Sequence, residues 1–296
     1  MVWRIMLALA LGCAAACPER AGAWDYPGTP RDLTPPIEFV KMTIVTPDSA
    51  RLAAWYAPAQ DSAGALLPGR HPGLLILPGD RDLMDERLHL VGGLARRGFS
   101  VLTFDHRGRG GSSDFFIDRR AVVHPEFLED AHSALFILRR RAEVDSSRLA
   151  AYGESRGAAL ALALAGERPE LRAVVAVSPP YSFRSWIEVL RREEPGEEFF
   201  VPDTWKRRDD ADKAVDRFNG AILFVAGDRD LSTPSWMAED LYKRYPRRKD
   251  LWIVEGAGHA GPQGPSRFAG ELFLGRVSEF LHRELGLPPH RGWPER

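Results

Sequence analysis

The stretch AAYGESRGAA, residues 150–159, sets a polar tripeptide, Glu154-Ser155-Arg156, between two glycines, Gly153 and Gly157. Leading into it, RLAAY (148–152) has the length and apolar content of a buried strand, and AALALALAG (158–166) continues beyond it as an apolar helix. One serine is therefore presented where the chain turns from a strand into a helix. Glycine on either side leaves room for a tight turn, and Ala158 and Ala159 let the helix pack closely behind it. A helix N-terminus at this point directs N–H groups and the positive end of the helix dipole toward the space above the serine. Gly-x-Ser-x-Gly recurs by chance in many chains, so its meaning depends on what surrounds it.

Working outward, short apolar runs alternate with helical patterns. IEFVKMTIVT (37–46) and RLAAWYAPA (51–59) are expected to pair as strands around a Pro-Asp-Ser turn. GLLILPGD (73–80), SVLTFD (100–105), LRAVVAVS (171–178), AILFVAG (221–227) and LWIVEG (251–256) read as further strands, most of them buried. Helices are expected over 86–98, 125–141, 158–166, 233–245 and 271–285. For the fourth of these, Thr233 is the expected N-cap and Pro234 the first helical residue. Alternation of this kind predicts an α/β fold, a mainly parallel central sheet with helices on both faces. Residues 183–218 break the rhythm. Phe183, Trp186, Phe199, Phe200 and Trp205 lie there among dense charges of both signs, and the segment is expected to form a small cap over the carboxyl edge of the sheet. Its aromatics suit either an apolar substrate group or the cap's own core.

The chain has 296 residues, is 44% hydrophobic and 27% charged, and carries a formal net charge of −1. Nothing in that balance steers it toward nucleic acid or an anionic membrane surface. Residues 1–23 have the order of an export signal: Arg4, an apolar run over 5–17, then the small-residue site Ala21-Gly22-Ala23. The run is too short for a stable membrane span. Cleavage after Ala23 predicts a secreted or periplasmic protein of residues 24–296. Both cysteines, Cys13 and Cys17, would be removed with the signal. Leu11-Gly12-Cys13 loosely resembles a bacterial lipoprotein site, so lipid anchoring at Cys13 is the alternative. No His, Asp or Glu cluster shows metal-ligand spacing, and neither metal nor cofactor is expected.

The Pro78-Gly79 turn after a strand, FDHRGRGGSS (104–113), YGESRGA (152–158), AGDRD (226–230) and GAGHA (256–260) follow one another in a telling order. In these motifs the chain resembles the α/β-hydrolases over roughly residues 35–286, and is particularly similar to the Bem46-like serine hydrolases. The resemblance implies an α/β-hydrolase fold and a Ser, Asp, His order of catalytic residues. Ser155 is then the nucleophile. Of the histidines that follow it, His282 falls inside the last helix and His290 in a Pro-rich tail, whereas His259 lies in a Gly-rich loop after a strand and is the expected base. Asp228 and Asp230 compete for the acid; the family's Gly-x-x-Asp pattern matches Gly227 and Asp230. The oxyanion hole would use the backbone N–H groups of Asp80 and Arg156. Asp80 departs from the family, which usually has His-Gly where Pro78-Gly79 stands: either its carboxylate turns away and pairs with Arg156 or Arg81, or the oxyanion hole is imperfect and catalysis less efficient. His106 and His124 are expected to be structural or to face the substrate. These features together predict an ester hydrolase acting on a small-molecule substrate through an acyl-enzyme. The alternatives are a peptidase of the same fold and a binding protein that has lost the chemistry.

Overall fold

A computed structural model describes residues 26–80 and 82–288. The export signal, Cys13, Cys17, Arg81 and His290 lie outside the described residues. Eight strands form one sheet: β1 (Val40–Val45), β2 (Arg51–Ala57), β3 (His71–Leu77), β4 (Ser100–Phe104), β5 (Val144–Glu154), β6 (Leu171–Val177), β7 (Ala221–Gly227) and β8 (Lys249–Val254). Their spatial order is β1-β2-β4-β3-β5-β6-β7-β8. The β1–β2 and β2–β4 pairs are antiparallel, and from β4 to β8 every pair is parallel. The expected α/β architecture is thus the observed one.

Period-two alternation explains why both faces are covered. Leu74, Ile76, Ala150, Tyr152, Val175 and Val177 point to one side, where they meet α1 (Leu88–Ala95) and, at the chain's end, a helix spanning Gly270–Glu284. Leu75, Leu77, Leu149, Ala151, Val174 and Ala176 point to the other and meet α2 (Pro125–Arg139) and α3 (Arg156–Glu167). On that same side lie α4 (Phe183–Glu193), α5 (Ala211–Arg217) and α6 (Trp236–Arg244). A one-turn helix, α7 (Pro265–Phe268), precedes the final helix α8 (Gly270–Glu284).

Strand β3 pairs with β4 on one side and β5 on the other, so the chain reverses its direction of travel across the sheet at this point. The loops leaving β3 and β5 therefore part at the carboxyl edge, the position at which open α/β sheets place their ligands. Ser155 follows β5 and Asp80 follows β3.

Residues 183–218 divide into two parts. Helix α4 and the stretch to Phe200, which bridges Ala121, lie near the carboxyl edge. Helix α5 instead packs on α3, where Arg217 Nε donates to Gly166 O at 3.2 Å. Phe183, Trp186 and Trp205 are all buried in the same core as α2 and α3, and Phe183 meets Trp205 edge-on at 5.2 Å. These aromatics join the main core; they form neither an isolated small core nor an open apolar pocket.

One expected boundary differs. Helix α6 starts at Trp236 with Ser235 as its N-cap residue, not at Pro234 with Thr233 capping. The Thr233 N–H and hydroxyl both donate to the carboxylate of Asp230, so the hydroxyl does not cap α6.

Candidate functional site

At the end of β5 the backbone makes an abrupt turn. Ser155 has φ 55 and ψ −123, a left-handed conformation that a residue with a side chain adopts only when its surroundings force it. The surroundings here are crowded backbone. A Cβ on Gly153 would lie 2.1 Å from Gly157 O, and one on Gly157 would lie 2.5 Å from Pro78 O. Only glycine fits at either position, so the space that the sequence predicted for these residues is filled by backbone. The Ser155 N–H donates to Val177 O at 2.9 Å, tying the turn to β6.

Two strands away, β7 ends in a turn held by carboxylates. Asp228 Oδ1 accepts from Gly256 N at 2.7 Å and joins this turn to the one after β8. The Asp230 side chain is fully buried. Its Oδ1 accepts from Thr233 N at 2.8 Å, and its Oδ2 accepts from Thr233 Oγ1 at 3.0 Å. His259 completes the set: Nδ1 lies 2.8 Å from Asp230 Oδ2, and Nε2 lies 2.9 Å from Ser155 Oγ. The structure thus brings Ser155, His259 and Asp230 into one hydrogen-bonded line and directs Asp228 elsewhere. With Nδ1 protonated the ring donates to Asp230, which leaves Nε2 to accept from the serine hydroxyl. Such a line can take the proton from a hydroxyl and stabilise the imidazolium that results.

Thr233 also belongs to the site. Its Oγ1 lies 3.0 Å from His259 Nδ1 as well as 3.0 Å from Asp230. Sequence reasoning treated it as a helix cap; the only signal for its real position is that it follows Asp230 by three residues, the spacing of a side chain that accepts from the backbone ahead of it.

Asp80 stands on the loop after β3, and its carboxylate accepts from Arg156 Nη1 at 2.6 Å, one of the two partners expected for it. Neighbouring Gly79 N donates to Asp82 Oδ2 at 3.3 Å, and Asp82 is in turn paired with Arg87 at 2.8 Å. The Gly-rich loop after β4 is anchored by its first residues. Asp105 accepts from Met84 N at 2.9 Å and from the Tyr26 hydroxyl; burial pushes its carboxyl up to about 6, against the pull of those two hydrogen bonds. Arg107 bonds Asp130 through Nε at 2.9 Å and Nη2 at 2.7 Å. His106 is structural, stacked on Phe127 at 4.2 Å with Nδ1 3.2 Å from Asp130, and burial lowers its pKa. His124 is buried beside Phe115 and Phe127, its pKa lowered first by burial and then by the charge of Arg156. His282 sits in α8 and bonds Arg97 O at 3.0 Å, far from this edge in the chain's topology.

Comparisons with known proteins bear on the fold and the superfamily. A family model described as serine aminopeptidase, S33, matches residues 72–195. An uncharacterized protein of Mycobacterium tuberculosis is 30% identical over 243 residues, which cover 81% of this chain and 78% of that protein. A Pyrococcus furiosus esterase structure superimposes with a TM-score of 0.71 at 20% identity, over 88% of this chain and 96% of that one. The chain belongs to the α/β-hydrolase superfamily. Cutinase 2 of Thermobifida cellulosilytica is also similar, 32% identical over 194 residues that cover 64% of this chain and 61% of the cutinase.

Among the described residues of this α/β hydrolase, no group of three or more His, Cys, Asp or Glu side chains could hold a metal ion. No helix among them is long and apolar enough to cross a membrane.

Proposed function

We propose that this α/β hydrolase is an exported serine hydrolase that cleaves carboxylic esters of small molecules. The observation that carries the reading is the line Ser155 Oγ–His259 Nε2 at 2.9 Å and His259 Nδ1–Asp230 Oδ2 at 2.8 Å. As Ser155 Oγ attacks the ester carbonyl carbon, its proton passes to His259 Nε2. Asp230 holds the imidazolium through Nδ1–H, and the backbone N–H groups of Asp80 and Arg156 donate to the oxyanion. Collapse breaks the bond to the leaving oxygen, which takes the proton from Nε2 and departs as the alcohol. Water then attacks the acyl-serine by the same relay and releases the acid. The ester class draws support from the similar cutinase and esterase, and the Bem46-like resemblance belongs to the same reading. Helix α4, whose Trp186 Nε1 donates to Ser232 O at 3.0 Å beside the acid turn, would form the substrate-side wall.

A peptidase is the second reading, favoured by the description of the matching family model. A fluorophosphonate probe and paired substrates test both. Labelling at Ser155 together with turnover of nitrophenyl esters and none of amino-acid anilides is expected. Faster turnover of the anilides would transfer the protein to the peptidases, and an unlabelled, folded protein would make it a binding module. Export after Ala23 is checked by the intact mass of protein from the secreted or periplasmic fraction: a chain beginning at Trp24 is expected, and one beginning at Met1 refutes it.

A further inference from the structure

Asp80 and Arg156 contribute their backbone N–H groups to the proposed oxyanion hole, and their side chains are joined as well. Arg156 Nη1 donates to Asp80 Oδ1 at 2.6 Å. The guanidinium is 5% exposed and the carboxylate 40%. From α4 the Trp186 ring covers the guanidinium, its centroid 5.9 Å from Cζ. A second cation, Arg109, approaches the same Asp80 oxygen at 4.0 Å. The next residue, Gly157, packs so tightly on the end of β3 that its backbone leaves no room for a Cβ against Pro78 O and Leu77 O. The loop after β3 and the start of α3 are therefore in backbone contact on one side and linked by charge on the other.

We propose that the Arg156–Asp80 ion pair is a clamp across the oxyanion hole, holding its two amides at a fixed separation and cancelling a carboxylate charge that would oppose the developing oxyanion. The inference rests on the ester-hydrolase reading. Two considerations favour it over a pair that serves stability alone. A buried guanidinium needs a partner, and any acceptor at hand would suffice for that; here the partner is the other residue of the hole. A carboxylate on the loop that donates to the developing negative charge raises the barrier unless a cation offsets it, and the buried Arg156 guanidinium is that cation. Both side chains are positioning residues: they act through the amides and the local field and do not react.

A kinetic double-mutant cycle over wild type, Arg156→Met, Asp80→Asn and the double variant tests the clamp, with a nitrophenyl ester as substrate. A trifluoromethyl ketone, which forms a tetrahedral adduct on the serine, reports the hole separately. Wild type is first shown to be labelled at Ser155 by the fluorophosphonate probe; a folded but unlabelled wild type overturns the ester-hydrolase reading and the clamp with it. In a labelled enzyme, Arg156→Met should lower kcat about a hundredfold with KM within about threefold, and should weaken the ketone by a matching factor. Asp80→Asn, at a half-exposed position that leaves folding intact, should lower kcat about tenfold. The double variant should be no slower than Arg156→Met, because a neutral Asn no longer opposes the oxyanion. Arg156→Lys, which retains charge without the planar fork, should recover part of the loss and serves in the cycle if Arg156→Met does not fold. Losses that multiply, that fall in KM, or that leave ketone affinity unchanged overturn the clamp while the labelled Ser155 leaves the ester-hydrolase reading standing.

Discussion

The turn that presents Ser155 and the turn that presents Asp230 follow β5 and β7 at the same edge of the sheet. Both begin at a crowded glycine, for a Cβ on Gly227 would lie 2.3 Å from Ala257 O just as one on Gly153 would lie 2.1 Å from Gly157 O, but past that point they are held by different means. The serine turn is held by contact. Its backbone is forced to φ 55 between glycines whose missing side chains are replaced by the backbone of Gly157 and Pro78. The acid turn is held by hydrogen bonds, with Asp230 accepting from Thr233 N and Thr233 Oγ1 and from His259, and Asp228 accepting from Gly256 N. A turn locked by contact tolerates the loss of its polar group and fails when bulk is added. A turn locked by hydrogen bonds fails when an acceptor is lost.

Ser155→Ala carries the largest expected effect. Alanine adds nothing to the crowded turn, so the variant should show the wild-type circular dichroism spectrum while ester turnover falls on the order of 10⁶-fold. A folded variant that keeps more than about a tenth of the rate removes Ser155 from the nucleophile's role.

Next come the two acids. Asp230→Asn should lower kcat about 10⁴-fold, because an amide at that position favours the wrong imidazole tautomer. Asp228→Asn retains an acceptor for Gly256 N and should cost less than about tenfold. Assayed side by side, equal losses would dissolve the distinction between the two carboxylates, and a larger loss at Asp228 would reverse it.

Bulk separates the serine turn from the His259 loop, which follows β8. Gly157→Ala would set a Cβ 2.5 Å from Pro78 O, a backbone atom that cannot move aside cheaply, and should destabilise the fold by about 3 kcal/mol. Gly258→Ala, on the loop of His259, would meet Gln263 Cβ at 3.4 Å and Gln263 O at 3.9 Å, ordinary contacts. Thermal melts should therefore show a drop of several degrees for the first and a shift within about two degrees for the second. Similar melting points for both would mean that the serine turn is not held by contact.

The smallest expected effect is at Thr233. Thr233→Val retains the shape and the backbone N–H bond to Asp230 Oδ1 but removes the hydroxyl from Asp230 Oδ2 and His259 Nδ1. A decrease in kcat of about tenfold and a loss of about 1 kcal/mol in stability should follow, measured by steady-state kinetics and urea titration. Unchanged kinetics would show that Asp230 alone orients the ring.

Legibility followed the range of the interaction. Strand and helix identity could be read in runs such as LRAVVAVS and AILFVAG, because burial on both faces of a parallel sheet leaves an apolar record residue by residue. The crowding of the serine turn was legible in Gly153 and Gly157, since a missing side chain is itself a sequence feature. The start of α6 was misread because Thr233 and Pro234 satisfy the local rules for a helix start, while the Thr233 hydroxyl donates to Asp230 and does not cap. The paths of Phe183, Trp186 and Trp205 were equally ambiguous, for an aromatic residue is the same letter whether it lines a pocket or enters the core.

By itself the sequence determined the alternation of strands and helices, the position of the strained serine turn and the short set of residues able to accompany it. Those features depend on periodicity and on residue size, which are local. Only the tertiary structure set Asp230 against His259 and Asp228 against Gly256, brought Thr233 against the imidazole and joined Arg156 to Asp80. Each of these depends on the distance between loops leaving different strands, a quantity set by the order of strands in the sheet and carried by no single segment of the chain.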